Sequence, residues 1–138
     1  MTGVDPASAI ARVVASMPDV RLAVLFGSVA SGRERPDSDL DVGVLLDRDE
    51  PGALAALRVR LERETRRVVD LIDLKSAPPL LRMEIGRRGR VLLEREEGAW
   101  ALFRAHAMID WWDWEPTARM MRETAARRLR EEAARGAP

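Results

Sequence analysis

The chain has 138 residues, 46% of them hydrophobic, with 23 basic and 23 acidic side chains and a formal net charge of zero. That length supports one domain with a real core and a short helical appendage, and the charge balance sets up no field that draws the chain to nucleic acid or a membrane surface. Cysteine is absent, which excludes disulfides and thiolate metal sites.

The N-terminal stretch Met1 to Pro6 lacks a basic n-region, and no apolar run approaches membrane-spanning length, so a cytoplasmic location is expected. Lys75 is the single lysine among the 23 basic residues, which reads as genomic composition bias.

Asp5-Pro6 marks a helix start, a cap followed by a first-turn proline. Ile10, Val13, Val14 and Met17 keep helical spacing, and Pro18 closes the segment. Arg21 to Phe26 is an apolar run that predicts a first strand. Residues 27 to 38 predict a turn with a short helix, then a polar loop ending Arg35-Pro36-Asp37-Ser38. Asp39 to Leu46 predicts a second strand. Asp49-Glu50-Pro51 opens a helix whose Leu54, Leu57 and Leu61 face inward. Val68 to Leu74, rich in β-branched residues, predicts a third strand. Ser76, Pro78 and Pro79 begin a short helix through Leu80, Leu81 and Ile85 that stops near Gly86 or Gly89. Arg90 to Leu93 predicts a fourth, edge strand.

From Gly98 onward the pattern is helical, with Trp100, Phe103, Ala107 and Asp110 on one face. Pro116 predicts either two helices or one kinked helix, about 98 to 113 and 116 to 135. Residues 1–97 form the expected core domain and 98–138 a helical extension packed on it. Strands alternating with helices indicate an α/β (α+β) fold, a small mixed sheet with helices on one face and the aspartate-bearing face left as the working surface.

The chemistry concentrates between residues 27 and 41. Gly27-Ser28 ends an apolar strand, and ten residues after Ser28 a second apolar strand opens with two aspartates one residue apart. Strand side chains alternate, so Asp39 and Asp41 point the same way, roughly 7 Å apart along the backbone. Two carboxylates on one face of a buried strand repel and are costly to desolvate, and a divalent cation is the usual remedy. A small Gly-Ser turn lets phosphates approach backbone N–H groups. Magnesium favours one or two carboxylates combined with substrate phosphates and water, and paired ions about 3.5 to 4 Å apart serve in-line nucleotidyl transfer. The third strand offers two further carboxylates, Asp70 and Asp73, on opposite faces, and only one of them can join the site.

Gly27-Ser28, then Ser38-Asp39-Leu40-Asp41-Val42, then Val69-Asp70-Leu71 resembles the minimal nucleotidyltransferases of the DNA polymerase beta superfamily. The likeness covers about residues 20 to 94, with its three parts in order and at the family's spacing. It selects Asp70 over Asp73. The resemblance implies that Gly27 and Ser28, together with Ser38, hold the triphosphate of ATP, and that Asp39, Asp41 and Asp70 form the catalytic, Mg2+-binding triad. Ser31 departs from the arginine that many members carry before the glycine, and Arg33 or Arg35 could supply that phosphate contact.

Small standalone members are similar to the antitoxins of two-gene modules whose partner is a helical HEPN ribonuclease toxin. The resemblance therefore implies a hetero-oligomer in which AMP passes from ATP to a tyrosine of the toxin, with no direct binding of nucleic acid or membrane. The chain contains no tyrosine, so a tyrosyl acceptor must lie on another molecule. Two alternatives stand beside this reading. One is an antitoxin that neutralises by binding alone, for which the Trp111, Trp112 and Trp114 cluster is a fitting partner surface as well as a possible core cap. The other is a small-molecule, aminoglycoside-type nucleotidyltransferase, disfavoured by size. Asp73, Lys75 and His106 read as structural or solvated side chains.

Overall fold

Apolar β-branched runs placed the strands, and all four pair into one mixed sheet. The computed structural model of the chain describes residues 5–30, 32, 38–48 and 50–136. The elements in order are α1 (Pro6–Ala15), β1 (Val20–Phe26), α2 (Gly27–Ala30), β2 (Leu40–Leu46), α3 (Ala53–Thr65), β3 (Val69–Asp73), α4 (Pro79–Arg88), β4 (Arg90–Glu94) and α5 (Ala99–Gly136). The sheet runs β3-β2-β1-β4. β1 is antiparallel to both neighbours, whereas β2 and β3 are parallel and joined by the α3 crossover. Of the two inner strands, β1 and β2, β1 is the more fully buried, and β4 takes an edge as the sequence predicts. Ser31, Arg33, Arg35 and Asp49 lie outside the described residues, so the auxiliary phosphate contact does too, while α3 begins at Ala53 with Gly52 at its N-cap.

Alternation along the strands divides the core in two. Ala23 and Leu25 of β1, Leu40, Val42 and Val44 of β2, and Val69 of β3 pack on Ile10, Val13 and Val14 of α1 and on Leu57 and Leu61 of α3. Through the opposite face, Leu22 and Val24 meet Leu74, Ile85 of α4 and Phe103 of α5. The mixed α/β class is as the sequence implies, but the helices do not keep to one face. α1 and α3 cover one side, and α4 with the first turns of α5 cover part of the other. The reason lies in Ile85, Phe103 and half-buried Trp100, which need an apolar surface and find it over β1 and β4.

α4 does not stop at Gly86, which is buried inside it, and ends at Gly89. A side chain at Gly89 would collide with Val24 and with the Ile85 carbonyl. Arg95 secures the far end of the sheet, where its guanidinium donates to the carbonyls of Val14, Ala15, Met17 and Val20. Those contacts tie the last turn of α1 and the turn after it to the start of β1.

α5 is a single helix of 38 residues that carries on through Pro116. Of the two expected outcomes, two helices or one helix through the proline, the structure has the single helix: a proline removes one N–H donor, and the surrounding helical run keeps the remaining ladder. Arg82 of α4 pairs with Asp110, and the Arg104 Nε donates to the Gly86 carbonyl at 3.0 Å, fastening the first three turns to α4. Buried residues end at Ala107. About 40 Å of helix at 1.5 Å per residue extends beyond that point.

Candidate active site

Three backbone facts bring the aspartates together. In the parallel β2–β3 pairing, Asp41 lies directly opposite Asp70. Neighbouring strands are about 4.8 Å apart, so the two carboxylates leave the same face side by side. Asp39 sits one alternation before Asp41 and projects to that face as well. Leu40, Val42, Val69 and Leu71 take the opposite face and pack in the core beneath α1 and α3. The aspartates thus lie at the β2–β3 end of the face whose β1–β4 half is covered by α4 and α5. The aspartate-bearing face is left uncovered over a narrower area than a bare sheet would give.

β1 delivers the fourth component. Phe26 is the last residue of β1 in register and faces Asp41, so the chain turns at Gly27 beside that carboxylate. Gly27 has φ +76°, a backbone conformation that L side chains rarely adopt. A Cβ there would also collide with Asp41 Oδ2. Glycine is required twice over: for the turn, and for the close approach of backbone to carboxylate. Ser28 follows in the single turn of α2, which brings the Gly-Ser pair against the aspartate cluster.

The electrostatics agree with this placement. Asp41 is half-buried, and its carboxyl is held above the ordinary aspartate range first by burial, then by the charges of Asp70 and Asp39. Both neighbours raise it because like charges disfavour ionisation. Asp39 and Asp70 are more exposed than Asp41. Among the described residues, no three carboxylate or imidazole groups close tightly enough to grip a metal ion as they stand. An all-oxygen, multiply anionic donor set suits a hard divalent cation.

Ser38 is half-buried, and its carbonyl accepts hydrogen bonds from Arg67 Nε, at 3.0 Å, and Arg67 Nη2. Arg67, at the entry to β3, had no signal in the sequence, since nothing in its neighbours marks it from the surrounding arginines. Asp73 stays apart from the cluster, opposite Val44, with its Oδ1 accepting the Lys75 backbone N–H. His106 is exposed on α5.

The chain belongs to the polymerase beta nucleotidyltransferase family, whose model matches residues 8–98. The protein adenylyltransferase MntA of Shewanella oneidensis is 33% identical over 78 residues, 56% of each chain. The chain thus matches little more than half the length of that relative. Among solved structures, a toxin–antitoxin crystal structure with AMP-PNP aligns at TM-score 0.78 and 23% identity, covering 87% of this chain and 98% of that one. A tri-AMPylated HEPN toxin of Shewanella oneidensis in complex with its MNT antitoxin aligns at TM-score 0.72 and 21% identity, covering 88% and 96%. At these identities the two structures speak for the fold.

Proposed function

We propose that the chain is a Mg2+-dependent protein adenylyltransferase that acts as an antitoxin, moving AMP from ATP to a tyrosine of a partner HEPN toxin. The observation that carries this reading is the side-by-side placement of Asp41 and Asp70, with Asp39 near and the Gly27 turn against them. The curated relative is named for protein adenylyltransfer, and the solved neighbours pair an antitoxin with its toxin, one of them AMPylated.

In this reading Asp39, Asp41 and Asp70 hold the divalent cation, and Gly27, Ser28 and Ser38 line the triphosphate. Bound there, the cation neutralises charge on the phosphates and on the leaving pyrophosphate. Gly27 lets the triphosphate reach backbone N–H groups without steric interference from a side chain. Asp70 stands on the edge strand β3, the side from which a protein acceptor can enter, and takes the proton of the tyrosyl hydroxyl. The phenolic oxygen bonds to the α-phosphorus as the α–β bridging bond breaks, and pyrophosphate carries off that electron pair. The protein contributes positioning and charge compensation.

The division of labour follows the same reading: residues 1–97 act as the nucleotidyltransferase core, and 98–138 recruit the partner into a hetero-oligomer. Trp112 is 66% exposed and Trp114 36%, with Met120, Met121 and Leu129 exposed further along α5. From buried Ala107 a stripe continues through Trp111, Trp114, Ala118, Met121, Ala125 and Leu129 at spacings of three and four, a seam suited to a helix of the toxin. No helix among the described residues is long and apolar enough to cross a membrane. We place the protein in the cytoplasm, where ATP and magnesium are at hand.

The test is mass spectrometry of the purified partner after incubation with the protein, ATP and Mg2+. Addition of AMP mass to a tyrosine, lost with Asp39→Ala plus Asp41→Ala, is expected. An unmodified partner contradicts the enzymatic reading. A second reading, neutralisation by contact alone, is favoured by the exposed tryptophans, and it requires that the double aspartate variant still protect cells.

A further inference from the structure

The β-ladder stops short of Asp39 on both sides. On the β1 side the last registered pair is Phe26 with Asp41, after which Gly27 turns the chain away. On the β3 side the last pair is Leu40 with Val69, closed by the Leu40 N–H donating to the Val68 carbonyl at 2.9 Å. The peptide that joins Ser38 to Asp39 therefore lies beyond the sheet's own hydrogen bonds, although its geometry decides where the Asp39 carboxylate points.

A side chain continues the ladder there. Arg67 falls opposite Ser38, two steps beyond the Leu40–Val69 pair, and its Nε and Nη2 both donate to the Ser38 carbonyl. The base of Arg67 is itself fixed. Arg66 holds a left-handed conformation with φ 55°, the Arg67 N–H donates to Thr65 Oγ1 at 3.4 Å, and that hydroxyl donates to the Leu61 carbonyl at 2.7 Å. One residue on from Val68, the Val69 N–H donates to Glu62 Oε2 at 3.0 Å. The fork thus springs from a rigid helix end, and a planar guanidinium with two donors sets orientation as well as distance.

We propose that Arg67 is a positioning residue that clamps the Ser38–Asp39 peptide and thereby aims Asp39 at the cation shared with Asp41 and Asp70. The inference rests on the cation-site reading given above. Partners that orient a metal's ligands typically contribute 10- to 100-fold to metal affinity. Lysine at this position keeps the charge and loses the two-pronged geometry.

The experiment is Mn2+ titration followed by electron paramagnetic resonance, on wild type, Arg67→Lys and Arg67→Ala, with thermal unfolding and metal-free AMP-PNP binding measured in parallel. Wild type should bind Mn2+; Arg67→Ala should bind it roughly tenfold or more weakly and Arg67→Lys in between. Metal-free nucleotide affinity should fall less than Mn2+ affinity, because Ser38 is one of three residues read as lining the triphosphate whereas Asp39 is aimed at the cation. Should Arg67→Ala fail to fold, Arg67→Lys alone carries the comparison. If the folded variants bind Mn2+ as wild type does, the clamp is only structural and the inference is overturned. If wild type binds no Mn2+, the cation-site reading itself falls and takes the inference with it.

Discussion

Asp41 is the residue on which stability and function pull in opposite directions. Its ionised form is disfavoured by burial and by Asp70 and Asp39, so its proton is held more tightly in the fold than in the unfolded chain. The sign follows directly. Well below the ordinary aspartate range Asp41 is protonated in both states and the fold bears no penalty. As pH rises through the raised folded value, the fold must accommodate a third clustered charge and loses stability. Asp41→Asn should therefore raise the melting temperature of the metal-free protein at neutral pH by roughly 1–4 °C. That gain should shrink to nothing as the solution is acidified. A thermal scan across pH checks it, and a variant less stable than wild type at neutral pH contradicts the assigned strain. Excess divalent cation should reverse the order by stabilising only the wild type.

At the level of elements, α5 makes the sharpest contrast within the chain. Its first turns are anchored by Phe103, Ala107, the Arg82–Asp110 pair and Arg104, whereas the remainder has no fully buried residue. Trp114→Ala together with Met121→Ser should leave the melting temperature of the isolated protein within a few degrees, because both stripe residues are exposed. The same pair should weaken binding to the proposed partner toxin by about 2 kcal/mol or more if the stripe is the docking seam. Calorimetry on the purified partners checks this, and unchanged affinity places the interface elsewhere. The strands and α1 were legible because alternation and helical spacing are local: Ile10, Val13 and Val14 are buried as their spacing requires. The sequence left α5 open between two helices and one, since Pro116 signals a break locally, and the helical run on either side decides for one. Likewise, Ile85 and Phe103 do not announce from sequence which face of the sheet they will cover. Pairing of Asp41 with Asp70 needed the β2–β3 register, and Arg67 could be seen only once Ser38 lay opposite it.

For the molecule as a whole, the sheet order β3-β2-β1-β4 explains why a site forms where it does. α1 and α3 seal one face, α4 and α5 seal the β1–β4 half of the other, and the β2–β3 quarter remains open with its three carboxylates and the Gly27 turn. Placing β3 at an edge leaves Asp70 approachable by something as large as another protein. Calorimetric titration with AMP-PNP, with and without Mg2+, on wild type and on Asp39→Ala plus Asp41→Ala tests this most directly. The carboxylate cluster predicts tight binding by the wild type in the presence of Mg2+, much weaker binding without it, and little response to Mg2+ in the double variant. Nucleotide affinity that ignores both the cation and the two aspartates would contradict the account.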